Sequence, residues 1–297
     1  MPLELAGQKN LAFDLYDENG EIVYNSGDEL SPGFLMQLSY KKVFKNDSQI
    51  VKTYTIYEPK SVISEKTTRL LVTSTKNILK KAYENDKPDL ETCQNAANII
   101  LEEVSENLEN VQCISQLRIF DEYTFSHTVN VSTMSSALGM LLDLDEQQLK
   151  DLALGALLHD IGKMRVPKDI LNKPARLEPE EFTIMKSHTL LGYNYIIENL
   201  EVSDEIAKVA LDHQEKYSGG GYPNNLKGKE ISFFAQIASI ADVYDALISN
   251  RVYKKAIELD RATDILLAES NKCFNPYMLK KFLKFTGFEN KADMIEL

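Results

Sequence analysis

The stretch "LLHDIGKMRVP", Leu157–Pro167, ends an apolar run with a histidine beside an aspartate, then continues at once with glycine and lysine. Taken alone, the pair has a structural explanation. A histidine near the last carbonyls of a helix is favourable, and Gly162 reads as a stop signal. The rest of the chain decides between that explanation and a chemical one. His159 is one of only four histidines in 297 residues; all four, His127, His159, His188 and His213, fall between residues 127 and 213.

His127 lies in "DEYTFSHTVNV", His188 in "IMKSHTLLG", and His213 in "LDHQEKYSGGGYP", near a helix end and just before a glycine-rich turn. Asp242, in "SIADVYDAL", is an acid in an otherwise apolar helical stretch, where an unpaired carboxylate is costly. Singly, His127 and His188 read as packed or surface side chains. Together, the four segments each present one imidazole or carboxylate from a mostly apolar face, and His159–Asp160 adds an adjacent pair. Helical bundles build metal sites from inward ligands on facing helices. Mixed imidazole and carboxylate ligands suit iron, manganese or zinc. The three cysteines, Cys93, Cys113 and Cys273, are too dispersed for a thiolate site or a disulfide framework. Asp160 is the natural bridging ligand, because a carboxylate has two oxygens and can hold two cations. The expected chemistry is metal-assisted hydrolysis.

Outward from this region the chain divides by texture. "LAFDLYDENGEIVYNSG" alternates apolar and polar positions on both sides of Asn19-Gly20, a pairing that suits a hairpin turn. "SPGFLMQL" predicts a short helix with Ser31 as N-cap and Pro32 at the first helical position. Val43-Phe44 and "IVKTYTIY" read as further strands, so residues 1–60 are expected to form a small β-rich α+β domain. Residues 61–297 are expected to form a helical domain. Its amphipathic spacing predicts helices in 61–86 and 90–111, then roughly 123–142, 146–159, 179–200, 203–215, 231–249 and 261–270. The fold class is thus mainly α, an all-helical metal-binding bundle behind a small α+β domain.

With 43% hydrophobic and 26% charged residues, the composition is that of a soluble globular protein. No apolar run approaches the length of a membrane span, and "MPLELAGQKN" lacks the apolar core of a signal peptide. A cytoplasmic location is expected. The formal charge of −12 disfavours a general nucleic-acid grip, while leaving room for a small anionic substrate met by local positive charge. Residues 1–60 hold no histidine and no cluster of ligand-like acids; sensing or dimer contacts, including a homodimer, are compatible with them.

Five motifs in order carry a family resemblance. "HDIGK" (His159–Lys163), the separate His127 and His188, "HQEKYSGGGYP" (His213–Pro223) and "IADVYDALISNRVYKKA" (Ile240–Ala256) resemble the HD-GYP subgroup of the HD-domain phosphohydrolases. The resemblance covers roughly Val111 to Ala256. It implies two divalent metal ions, iron or manganese: one at His127, His159, Asp160 and Asp242, the other at Asp160, His188 and His213. It also implies hydrolysis of cyclic di-GMP to pGpG, and in some members on to GMP, with the metals acidifying a bridging water and polarising the phosphoryl oxygen. Asp160 and Lys163 would be catalytic. Lys163 and Arg251 would stabilise phosphate charge, with Lys173 and Arg176 as weaker candidates. Gly221, Tyr222 and Pro223 would contact the substrate, and the same loop is associated in the family with docking of diguanylate cyclase domains.

The sequence also departs from the family pattern. Gln214 stands where a second histidine is usual, Ser218 where an aspartate is, Gln236 where a basic residue is common and Thr189 where a proline is. Tyr123 occupies the place of a glutamate found in members with a third metal. Tyr123 and Gln214 fit two metals rather than three. Gln214 and Ser218 motivate a rival reading, a receptor or protein-interaction module that holds nucleotide without turning it over. A further alternative is a phosphodiesterase for another cyclic dinucleotide, such as cyclic GMP-AMP.

Overall fold

A computed structural model describes residues 10–16, 21–29, 43–45, 52–54, 63–84, 86–108, 123–249 and 256–297. The strands come first: β1 (Leu15–Tyr16), β2 (Ile22–Tyr24), β3 (Val43–Lys45) and β4 (Lys52–Tyr54). They form an antiparallel sheet in the order β2-β1-β3-β4, with Leu15 opposite Tyr24 on one side and Lys45 on the other. The predicted strands are therefore present. The Asn19-Gly20 turn and the short helix expected in "SPGFLMQL" lie outside the described residues.

From residue 65 onward the described chain is helical: α1 (Glu65–Tyr83), α2 (Leu90–Glu106), α3 (Tyr123–Leu141), α4 (Glu146–Leu158), α5 (Lys168–Leu171), α6 (Pro179–Lys186), α7 (His188–Asn199), α8 (Asp204–Asp212), α9 (Phe233–Ile248), α10 (Leu259–Ala268), α11 (Pro276–Phe285) and α12 (Glu289–Asp293). The mainly α fold class is borne out. Helix α3 is buried continuously over residues 126–139, the behaviour of a helix packed on every side. Three of its hydroxyls are satisfied within the core: Ser132 Oγ donates to the Ala153 carbonyl, and Thr133 and Ser136 donate back to the carbonyls of Val129 and Ser132, whereas Ser135 Oγ is buried without a partner among the described residues.

Helix α4 begins with a reciprocal capping box between Asp145 and Gln148, which satisfies two otherwise orphaned amide groups. Its buried end joins two apolar clusters. Leu152, Ala156 and Leu157 pack with Ile237, Ile240 and Phe282, while Ala153, Leu154 and Leu158 pack with Ile161, Tyr195 and Ile196. A helix buried on both faces cannot adjust its end freely, so the residues that follow Leu158 are placed by the core.

The structure corrects two boundaries that matter for the site. The helix expected over 179–200 is two helices that break at Ser187, whose hydroxyl donates to the Ile184 carbonyl. No proline or glycine marks that break. The helix expected to reach residue 215 ends at Asp212, with His213 as its C-cap. Gly162 is also not a simple stop: a 3-10 turn, Ile161–Arg165, runs through it. A Cβ at Gly162 would stand 1.9 Å from the His188 carbonyl oxygen and 2.5 Å from the Gly192 amide nitrogen. Glycine is there because two backbones touch.

Candidate metal centre

Three of the four histidines share one local device. His159 Nδ1 donates to the Ala156 carbonyl at 2.7 Å, His188 Nδ1 to Met185 at 2.8 Å, and His213 Nδ1 to Ala210 at 3.0 Å. His127 Nδ1 lies instead 2.7 Å from the Asp245 carboxylate, which also accepts from Asn130 Nδ2 and Ser249 Oγ. A carbonyl only accepts, so Nδ1 of the first three rings carries the proton and Nε2 of the neutral ring is a lone pair. The histidine at the end of α4 thus does both things its sequence context suggested. Its Nδ1 caps a terminal carbonyl, and its Nε2 faces the cluster.

All four Nε2 atoms converge on Asp160, whose two oxygens divide them. Oδ2 lies 3.3 Å from His159 Nε2 and 3.7 Å from His127 Nε2. Oδ1 lies 3.5 Å from His188 Nε2 and 3.6 Å from His213 Nε2. Asp242 Oδ1 is 3.2 Å from His127 Nε2, on the Oδ2 side. Two overlapping triads, His127–His159–Asp242 and His159–Asp160–His213, bring their ligand atoms within 4.8 Å of one another.

The electrostatics match this arrangement. Burial pulls His188 down to about 4 in spite of Asp160, so the ring is neutral at pH 7. Burial also opposes the charge on His127, but the hydrogen bonds and charges of Asp242 and Asp245 outweigh it and lift the ring to about 9. Asp160 is pushed up by burial, yet Lys163 and His159 hold it well below the usual carboxylate range.

A divalent cation fits these residues. His159 Nε2 and Asp160 Oδ1 are buried with no hydrogen-bond partner, and Nε2 of His188 and His213 face each other at 3.4 Å. Buried acceptors turned toward one another without a donor are costly; a cation among them removes the cost. Histidines whose second nitrogen is held by a carbonyl or carboxylate are the usual metal ligands of proteins.

Around this centre the other predicted residues take varied places. Lys163 Nζ lies on Asp160 Oδ2 at 2.5 Å, in a half-buried position. Lys173 is held by Glu181 through both carboxylate oxygens, so its charge is already matched. Arg251 and Cys113 lie outside the described residues. Tyr222 packs edge-on to His188, 6.3 Å between ring centroids, and is followed by a cis peptide bond to Pro223. Gly221 is pressed on Glu215: an added Cβ would stand 2.4 Å from the Glu215 Cα. Gln214 Nε2 donates to Asp242 Oδ2 at 3.2 Å, and Gln236 bonds the Gly228 and Ile231 carbonyls.

Two functional positions were not singled out in the sequence. Asp245 orients His127, and the buried Glu215 accepts from the amides of Asn224 and Leu226, tying the glycine-rich loop to the cluster. Both fall within quoted motifs. A second acid three residues after Asp242, on the same helical face, was the available signal for Asp245.

A helical bundle closed around a histidine–aspartate pair defines an HD-type metal-binding protein. Residues 93–277 match the HD domain family, and the chain belongs to that family. It is 37% identical over 182 residues to a cyclic di-GMP phosphodiesterase of Pseudomonas aeruginosa, a match covering 61% of this chain and 44% of that protein. It is likewise 37% identical over 180 residues to a cyclic di-GMP phosphodiesterase of Thermotoga maritima, covering 60% of this chain and 48% of that one. The chain thus spans less than half the length of these curated relatives. Its fold is shared with an HDG"Y"P protein from Bdellovibrio bacteriovorus, at a TM-score of 0.56, 20% identity and 95% coverage of both chains. The HD-GYP resemblance read from the motifs is borne out by these matches. HD-domain phosphohydrolases are metal-dependent, and the histidine–aspartate groups here can hold a metal ion. No helix among the described residues is long and apolar enough to cross a membrane.

Proposed function

We propose that this chain is a metal-dependent phosphodiesterase that hydrolyses cyclic di-GMP, with pGpG or GMP as the final product. The carrying observation is the division of four anchored imidazoles between the two oxygens of Asp160. That division supports two cation positions, one held by His127, His159, Asp160 and Asp242, the other by Asp160, His188 and His213. Iron or manganese suits this donor set. When bound, such cations supply Lewis acidity at a phosphoryl oxygen and make water nucleophilic at neutral pH.

The chain's own residues do the rest. Asp160 presents one oxygen to each position. Lys163 keeps an ammonium at the mouth of the cluster, where it offsets charge that builds on the phosphate, and Arg251 is assigned the same task. The carbonyl anchors keep Nε2 of His159, His188 and His213 aimed inward through the reaction. Glu215 holds Gly221, Tyr222 and Pro223 against the cluster as substrate contacts. We assign the reaction to the cytoplasm, residues 61–297 to the catalytic domain and residues 1–60 to a regulatory or dimerising one. The glycine-rich loop is the surface offered to diguanylate cyclase domains.

The test is hydrolysis of cyclic di-GMP by protein prepared without oxygen and loaded with iron or manganese, with products separated and metals counted in the same sample. Multiple turnover that disappears in Asp160→Ala is expected. Gln214, a neutral amide bonded to Asp242, favours one rival, a receptor that binds without turnover. Tight nucleotide binding by metal-loaded protein with no product would establish that rival, and a higher catalytic efficiency on cyclic GMP-AMP would change the substrate.

A further inference from the structure

Helix α6 carries no buried residue, although it runs directly into the cluster histidine His188. Phe182, at its centre, is 44% exposed. Its ring meets Tyr222 edge-on at 6.4 Å between centroids, and Tyr222 in turn meets His188. Lys186 Nζ lies over both aromatic rings, 4.9 Å from the Phe182 centroid and 5.7 Å from that of Tyr222. Among the described residues no carboxylate pairs with this ammonium.

An isolated exposed phenylalanine is ordinary on a protein surface. Here the exposed ring, a second ring and an ammonium that no described carboxylate pairs form one patch continuous with the histidine–aspartate cluster. Aromatic faces beside a cation are the means by which proteins hold unpaired bases, through stacking that accepts any base and a charge that selects among them. Guanine turns two acceptors, O6 and N7, to a donor at its major-groove edge, whereas adenine offers an acceptor beside a donor. Phe182 is linked to His188 through Tyr222 by two ring-to-ring contacts, so the patch runs without a break into the cluster.

Resting on the phosphodiester reading above, we propose that Phe182 and Lys186 form a base-binding platform with Tyr222. Phe182 stacks on one guanine of the dinucleotide, and Lys186 donates to the O6 and N7 edge of that base. Both residues act on substrate affinity and base choice, not on the chemical step. The simpler use of the pair is local: Phe182 and Lys186 are four residues apart, and a cation over a ring at that spacing steadies a helix.

The chain contains no tryptophan, so Phe182→Trp introduces a single fluorescent reporter at the proposed stacking face. In the manganese-loaded full chain, its emission is expected to be quenched by cyclic di-GMP, with KM within about twofold of the parent because the larger ring still stacks. Phe182→Ala is expected to raise KM about tenfold with kcat unchanged, and Phe182→Tyr to restore it. Lys186→Met is expected to cut the preference for cyclic di-GMP over cyclic di-AMP by about fivefold or more. The platform is overturned by an unresponsive tryptophan together with an unaltered KM in Phe182→Ala, the result a purely local role predicts. Quenching without turnover in the parent chain would remove the phosphodiester reading and keep the platform. Turnover without quenching or a KM change would do the reverse.

Discussion

The interior of the site and its rim are held in opposite ways. Inside, every ring is tied to a backbone carbonyl or to a buried carboxylate, and His159, His188 and His213 are within 3% of full burial. At the rim, Phe182 and Lys186 meet the ring of Tyr222 and each other, and Tyr222 sits on a loop whose following amides are held by Glu215. Interior placement is inherited from the core and changes only if the core does. Rim placement depends on a short surface helix and one loop, so its residues can be exchanged without disturbing the bundle. On the proposed reading, generic chemistry belongs to the first region and discrimination among substrates to the second.

The sharpest way to break this contrast is Asp160→Ala, which removes the carboxylate assigned to both proposed cation positions. Loss of bound metal, counted by elemental analysis, and loss of turnover to background are expected together. Next is Asp245→Asn, which leaves His127 in place but weakens the group that orients it. Metal affinity is expected to fall roughly 10–100-fold, read by competition with a chelator, with the rim untouched.

Gly162→Ala probes the backbone contact beneath the interior. A methyl group pushed into the His188 carbonyl and the Gly192 amide is expected to destabilise the fold by about 1–3 kcal/mol or more, measured by denaturant unfolding. Glu215→Gln addresses the rim. One amide oxygen replaces the two carboxylate oxygens that accept from Asn224 and Leu226, so the loop loosens. KM is expected to rise severalfold while metal content stays constant.

The smallest effect concerns pH. In the metal-free chain His127 sits at about 9, above its ordinary 6.5, so its pairing stabilises the fold fully below 6.5 and that contribution is lost as pH rises through about 9. Tm of the metal-free chain is expected to decline across that window and to flatten in Asp245→Asn. A metal-loaded sample with the same decline would show that His127 still carries its proton there.

Legibility in the sequence followed the same division. His127, His159, Asp160, His188, His213 and Asp242 stood out because polar, ligand-type residues interrupt apolar helical runs, a conflict that burial makes expensive. The strands of the first sixty residues were readable from alternation, and the main helices from their spacing. What escaped depends on contacts between segments distant in the chain. Nothing local to Ser187 marks the break that sets His188, and Gly162 reads as a stop signal until the backbone of α7 is seen against it. Phe182 and Lys186 look like the outer face of any surface helix until the loop carrying Tyr222 arrives beside them. Asp245 was distinguishable from Asp242 only by which nitrogen of His127 each one meets.

Three of the rings are oriented by carbonyls three residues earlier in their own chain segment. Each ring's direction is consequently set by a carbonyl of its own segment rather than by a partner helix. The entropy of aligning these side chains is spent during folding and not on binding. An ion that departs leaves the seats standing, and an ion that enters meets them already turned. Exchange is then governed by passage through the mouth and by which metals the surroundings supply, with little rearrangement of the protein to slow it or to choose.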